Sequence, residues 1–158
     1  MPDKVYTRQQ LIQILKRERA WQKVVVTTNG CFDLLHVGHL RYLQAARELG
    51  DLLVVGVNSD TSVKQLKGKN RPLVPEMERA EMLAGLTCVD YVVIFPELDP
   101  ISLLSALQPD VHVKGGDYTL EQVTERQVVE GNGGQVVVGL NIPGKSTTNV
   151  IQTIQNRY

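Results

Sequence analysis

Apolar residues in this chain follow two rhythms. Short unbroken runs, rich in β-branched residues, occupy 23–28 (KVVVTT), 52–57 (LLVVGV), 91–95 (YVVIF), 111–113 (VHV) and 135–138 (QVVV). Apolar runs that do not alternate with polar residues mark strands covered on both faces, as in parallel sheets. Longer stretches between them carry helical spacing. Segment 7–20 opens with Thr7 and has Gln10 three residues on, a capping-box spacing, followed by a stripe of Leu11, Ile14 and Leu15. Segment 38–48 places Leu40, Leu43, Ala45 and Ala46 near one face, with Gly50 as a stop beyond it. Segment 75–84 begins with Pro75 and acids and carries Met77, Ala80 and Leu83. Asp99 and Pro100 mark the start of a helix over 99–107. A more polar helix is expected over 119–130, and a last one over 146–157 with Val150, Ile151 and Ile154.

Strands alternating with helices predict an α/β fold, a Rossmann-like doubly wound sheet of about five parallel strands with helices on both faces. The 158 residues fit one domain, with the helix at 1–20 appended to it. No repeat or linker interrupts the chain, and 68–75 is the best candidate for a mobile loop.

Composition narrows the function. With 42% hydrophobic and 22% charged residues the chain is ordinary for a globular domain, not a disordered one. Its 17 Lys+Arg balance 17 Asp+Glu, which argues against a nucleic-acid binder. Cys31 and Cys88 lack CxxC spacing, so neither a disulfide framework nor a zinc site is expected. The start MPDKVYTRQQ is no signal peptide, and no apolar run reaches the roughly 18–20 residues of a membrane span. A cytoplasmic protein without a membrane partner is expected.

Ligands of doubly wound sheets bind beyond the carboxyl ends of the strands. After the first strand comes NGCFDLLHVGH, residues 29–39, with His36 and His39 at the start of a helix. An i, i+3 spacing puts both rings on one face. A helix N-terminus adds free N–H groups and a positive dipole end, and Gly30 and Gly38 let the backbone approach a ligand. These features describe a phosphate site with two imidazole donors; the alternative is that one histidine caps and the other packs.

The stretch Phe32-Asp33-Leu34-Leu35-His36-Val37-Gly38-His39 resembles the HxGH signature of the nucleotidyltransferase superfamily, which includes cytidylyltransferases and pantetheine-phosphate adenylyltransferase. Gly144-Lys145-Ser146-Thr147-Thr148 resembles the superfamily's ISSTT-type motif, with Lys145 where isoleucine is usual. Asn58-Ser59-Asp60, Lys64 to Gly68, Arg71-Pro72, Glu78-Arg79 and Val113 to Tyr118 (VKGGDY) resemble the heptose 1-phosphate adenylyltransferase branch. That resemblance implies an enzyme that transfers AMP from ATP to D-glycero-β-D-manno-heptose 1-phosphate, giving ADP-heptose for lipopolysaccharide core. Members commonly form homodimers, and many carry the domain behind a sugar kinase. The nearest rival is a cytidylyltransferase acting on glycerol 3-phosphate or phosphoethanolamine. A regulatory nucleotide-binding module and a flavodoxin-like redox domain are the readings from other classes.

The resemblance assigns roles residue by residue. His36 and His39 would hydrogen-bond the triphosphate and stabilise the α-phosphorus in transit. Asn29, Gly30, Cys31, Phe32, Gly38, Arg79 and Lys114 would complete the ATP site. Ser146 would cap its helix while Thr147 and Thr148 face the β and γ phosphates. Lys64, catalytic beside the two histidines, or Lys67 would neutralise the incoming sugar phosphate, bound also by Asp33, Lys114, Gly115 and Asp117, Asp117 having an ordinary turn role as its alternative. Lys69 reads as a solvated charge and His112 as a packed core residue. Cys31 has no base partner in the motif and is not expected to act as a nucleophile. Mg²⁺ is expected to accompany ATP, held by phosphates and waters, with no dedicated metal ligands in the chain.

Overall fold

A computed structural model describes residues 2–140 and 142–158. Five strands form one parallel sheet: β1 (Val25–Gly30), β2 (Leu52–Asn58), β3 (Tyr91–Phe95), β4 (Val111–Val113) and β5 (Gln135–Val137). Their spatial order is β3-β2-β1-β4-β5. The chain therefore builds outward from β1 in one direction and then returns to build in the other. The switch point lies between β1 and β4, where open α/β sheets bind ligands.

Helices cover both faces: α1 (Arg8–Ala20), α2 (Val37–Arg47), α3 (Asp60–Lys67), α4 (Glu76–Ala84), α5 (Ile101–Leu107), α6 (Arg126–Gly131) and α7 (Thr147–Arg157). Side chains alternate across a strand, so β1 and β2 feed two cores. Val26, Leu53, Val55 and Val57 pack with Leu43 and Ala46 of α2 and Ala80 and Leu83 of α4. Val25, Leu52 and Val54 pack with Leu11 and Leu15 of α1 and Leu103 and Leu107 of α5. A smaller cluster joins Leu104, Val123, Val129 and Val136. The segment before α1 pairs with β3, since Tyr6 N–H donates to the Val92 carbonyl at 2.9 Å. Thr7 and Gln10 make the expected reciprocal capping box.

Two local expectations need correction, and one helix is new. The basic stretch after Asp60 begins as helix α3, which the apolar pattern did not mark. Ser59 caps it by accepting from Ser62 N–H at 3.2 Å, and Gly68, at φ 104°, stops it. The helix expected over 119–130 is a 3₁₀ turn, Leu120–Gln122, followed by the short α6. Gly50 does not cap α2 in a left-handed conformation; a Cβ there would stand 2.7 Å from Val26 and 2.8 Å from the Val24 carbonyl, so close packing requires the glycine.

Candidate active site

At the carboxyl ends of β1 and β4 lies a cleft of about 810 Å³, a size suited to a nucleotide and a small co-substrate. Its wall includes residues 29–33, His36, Gly38, His39, Lys67, Arg71, 114–118 and 142–149. Two helices of 11 residues, α2 and α7, begin at this cleft. Each brings first-turn N–H groups without intrahelical partners and a positive dipole end. Thr147 ties the two starts together by donating from Oγ1 to the Leu34 carbonyl at 3.0 Å. Ser146 caps α7, accepting from Asn149 N–H at 3.0 Å, as expected. Thr147 thus spends its hydroxyl proton on the scaffold, while Thr148 lines the cleft exposed.

His36 and His39 stack, with ring centroids 3.9 Å apart. His36 Nδ1 accepts from Gly38 N–H at 3.1 Å, so His36 both caps α2 and faces the cleft. An acceptor Nδ1 on a neutral ring puts the proton on Nε2, and that Nε2 is buried with no partner in the protein. His39 Nδ1 is likewise buried and unpartnered. Burial, helped by the neighbouring His36, pushes the His39 ring down to about 4. Burial and the Lys145 ammonium push His36 down as well. Both rings are neutral hydrogen-bond donors near neutral pH, not cations. Phe32 packs against His39 at 5.3 Å between centroids.

Arg79 does not reach this cleft. Its side chain is fully buried and donates to four oxygens: Val74 O (2.8 Å), Cys31 O (2.6 Å), Asn58 O (2.9 Å) and Asp60 Oδ1 (2.8 Å). It clamps the ends of β1 and β2 to the 71–74 segment; the expected ATP contact gives way to a scaffold role. Asp33 is similarly occupied. Its carboxylate accepts from Leu73 N–H, Val74 N–H and Arg71 Nε–H, the last at 2.6 Å. Burial alone would raise that carboxyl, but these donors hold it below the ordinary carboxylate range. The 68–75 loop is therefore pinned from beneath, with Asp33, itself part of the cleft wall, as its anchor. The two α3 lysines separate: Lys67 lines the cleft, whereas Lys64, exposed one turn earlier, does not.

After β4, Lys114, Gly115 and Asp117 line the opposite wall with Tyr118. Tyr42, behind them, hydrogen-bonds Thr28 Oγ1 at 2.6 Å and the Val113 carbonyl at 3.2 Å. His112 is fully buried, as a core histidine should be, but it shares a buried acid with Lys114. That acid, Glu125, lies in the stretch read as a polar helix, and no motif marked it. The Cys31 thiol is pushed up by burial, which suits a wall residue and not a nucleophile. Among the described residues, no group of three or more His, Cys, Asp or Glu could hold a metal ion, and no helix is long and apolar enough to cross a membrane.

Comparison with known proteins agrees with this geometry. The family model of cytidylyltransferase-like proteins matches residues 27–155. The chain is 55% identical over 155 residues to the bifunctional protein HldE of Syntrophotalea carbinolica, covering 98% of this chain and 32% of that protein. It is 59% identical over 145 residues to HldE of Geotalea uraniireducens, covering 92% of this chain and 30% of that protein. Among solved structures, the lipopolysaccharide core biosynthesis protein of Thermoplasma volcanium superposes with a TM-score of 0.62 at 30% identity, covering 73% of this chain and 93% of that one. The chain belongs to the cytidylyltransferase-like family. It spans about a third of the length of the curated relatives it matches.

Proposed function

We propose that this chain transfers AMP from ATP to D-glycero-β-D-manno-heptose 1-phosphate, forming ADP-heptose and pyrophosphate for lipopolysaccharide core synthesis. The observation that carries the reading is the convergence of two helix N-termini and a neutral, stacked histidine pair on one cleft. Identity above 50% to bifunctional HldE proteins supports the adenylyl donor and the heptose acceptor. Cytidylyl transfer to glycerol 3-phosphate has the family name in its favour and no feature of the cleft.

In the reaction a sugar-phosphate oxygen attacks the α-phosphorus of ATP, and the bond to the β-phosphate oxygen breaks. A phosphate monoester is already anionic near neutral pH, so no general base is needed. His39, pushed down to about 4 by burial, could not retain an abstracted proton in any case. Their contribution is directed N–H donation to the α-phosphoryl oxygens as charge builds there. The starts of α2 and α7, with Ser146, Thr147 and Thr148, hold the β and γ phosphates and hence the leaving group. Lys67 and Lys114, with Gly115 and Asp117, receive the sugar phosphate, and Asn29 to Phe32 border the nucleoside. The cleft offers no carboxylate cage, since Asp33 is engaged with its loop. Mg²⁺, if bound with ATP, would be held mainly by its phosphates and by water and would supply charge neutralisation there. The reading extends to a cytoplasmic homodimer supplied by a sugar kinase, fused or separate.

Thermal shift separates the donors. Saturating Mg-ATP should raise the melting temperature by several degrees, since a ligand at 100 times its Kd stabilises by about 2.7 kcal/mol. Equal stabilisation by Mg-CTP would contradict the adenylyl assignment.

A further inference from the structure

His112 of β4 and Lys114, the first residue after it, lie two positions apart and share Glu125 as a partner. Both meet Glu125, whose side chain is completely shielded from solvent. Glu125 Oε1 stands 2.9 Å from Lys114 Nζ and 3.4 Å from His112 Nε2. These contacts are electrostatic, without the alignment of good hydrogen bonds at Oε1 or Nε2. Oε2 accepts from the Thr124 hydroxyl at 3.2 Å. Behind the group, His112 Nδ1 lies 2.8 Å from Thr27 Oγ1 of β1. In front, Lys114 emerges into the cleft with its ammonium 4.9 Å from the Tyr118 ring centroid.

A shielded carboxylate cannot touch a ligand itself. Burying it is costly, and a well-packed apolar residue would stabilise the fold as well or better. What it supplies is direction. An ammonium has three donors. Glu125 holds the ammonium by charge on one side and the Tyr118 face holds it on another, which leaves its remaining side open to the cleft. Thr27 and His112 in turn brace Glu125 from the central strand.

We propose that Glu125 is a positioning residue that fixes the Lys114 ammonium at one point on the cleft wall, as a directed donor to the phosphorylated substrates. The substrate half of the statement rests on the function proposed above; the placement of Lys114 does not.

Two measurements test it. Acylation with an amine-reactive reagent, mapped by peptide mass spectrometry, reads Lys114 without any substrate. In Glu125→Gln, Lys114 should react about tenfold faster than in the unaltered protein, as expected when one partner of a buried charge pair is removed. Lys67 and Lys145 should react as before. Kinetics read the consequence. Glu125→Gln and Lys114→Met should each lose about tenfold in kcat/KM for the sugar phosphate, and the double variant should lose no more than Lys114→Met alone. Glu125→Asp, with its charge kept but drawn back, should fall between. If Glu125→Gln does not fold, Glu125→Asp replaces it in both measurements. Unchanged Lys114 labelling in a folded variant, or additive losses in the double variant, overturn the proposal. If the unaltered protein makes no nucleotide sugar, the functional reading fails while the labelling still decides where Glu125 holds Lys114.

Discussion

Lys145 and Gly38 meet where the two site helices begin: a Cβ on Gly38 would lie 2.6 Å from Lys145 Cβ and 2.8 Å from the His36 ring. No side chain fits that gap, so the glycine sets how closely α7 approaches α2. Gly38→Ala should push the two N-termini apart and tilt His36. We expect a loss of about 10²-fold in kcat, the scale of a displacement near 1 Å at the reacting centre. Steady-state kinetics beside a melting curve check it; unchanged kcat in a folded variant would show that the spacing is not critical.

Lys67 and Lys64 are distinguishable by substitution. Lys67→Ala should raise the KM for the sugar phosphate about tenfold, the loss of one hydrogen bond to a charged group. Lys64→Ala, outside the cleft, should change it less than about twofold. The reverse ranking would place the acceptor on the outer turn of α3.

His39→Ala should lower kcat by about 10²–10³, the effect of deleting one transition-state donor, while the KM for ATP moves far less. The pH dependence separates neutral donor from cation. His39 is pushed down to about 4 by burial, against an ordinary value of 6.5, so the unfolded chain binds more protons between those values. Stability should therefore be level above pH 6.5 and fall as the pH drops through that window. The profile of kcat/KM for ATP, which reports the free enzyme, should show its acid limb below pH 6.5. A limb centred on an unperturbed histidine would contradict the buried neutral pair.

Asp33→Ala removes the acceptor of the Leu73 and Val74 N–H groups. The expected cost is about 1–3 kcal/mol in stability, the penalty for leaving buried donors unpaired. Hydrogen exchange should quicken at Leu73 and Val74 first. Protection unchanged at both amides would mean that the loop holds itself.

The sheet was legible because its strands are unbroken β-branched runs, and the cleft because glycines and histidines cluster directly after β1. The scaffold contacts of Arg79 and Asp33 were not legible, for one reason. A motif records which residues recur near a site, not whether a side chain faces the ligand or the backbone beside it. Helix α3 hid because DTSVKQLK shows only Val63 and Leu66 as apolar, and its cap, Ser59, sits inside a motif read for chemistry. Glu125 left no local signal at all. Its partners lie 11 and 13 residues away, in β4 and just after it, and only the β4–α6 return brings them together.

The most direct test is product analysis. The protein is incubated with Mg-ATP and D-glycero-β-D-manno-heptose 1-phosphate, with CTP and glycerol 3-phosphate in parallel, and nucleotide sugar and pyrophosphate are measured by mass detection. ADP-heptose and pyrophosphate in equal amounts from the first pair alone is the expected result. CDP-glycerol as the main product, or no pyrophosphate from any pair, would contradict it.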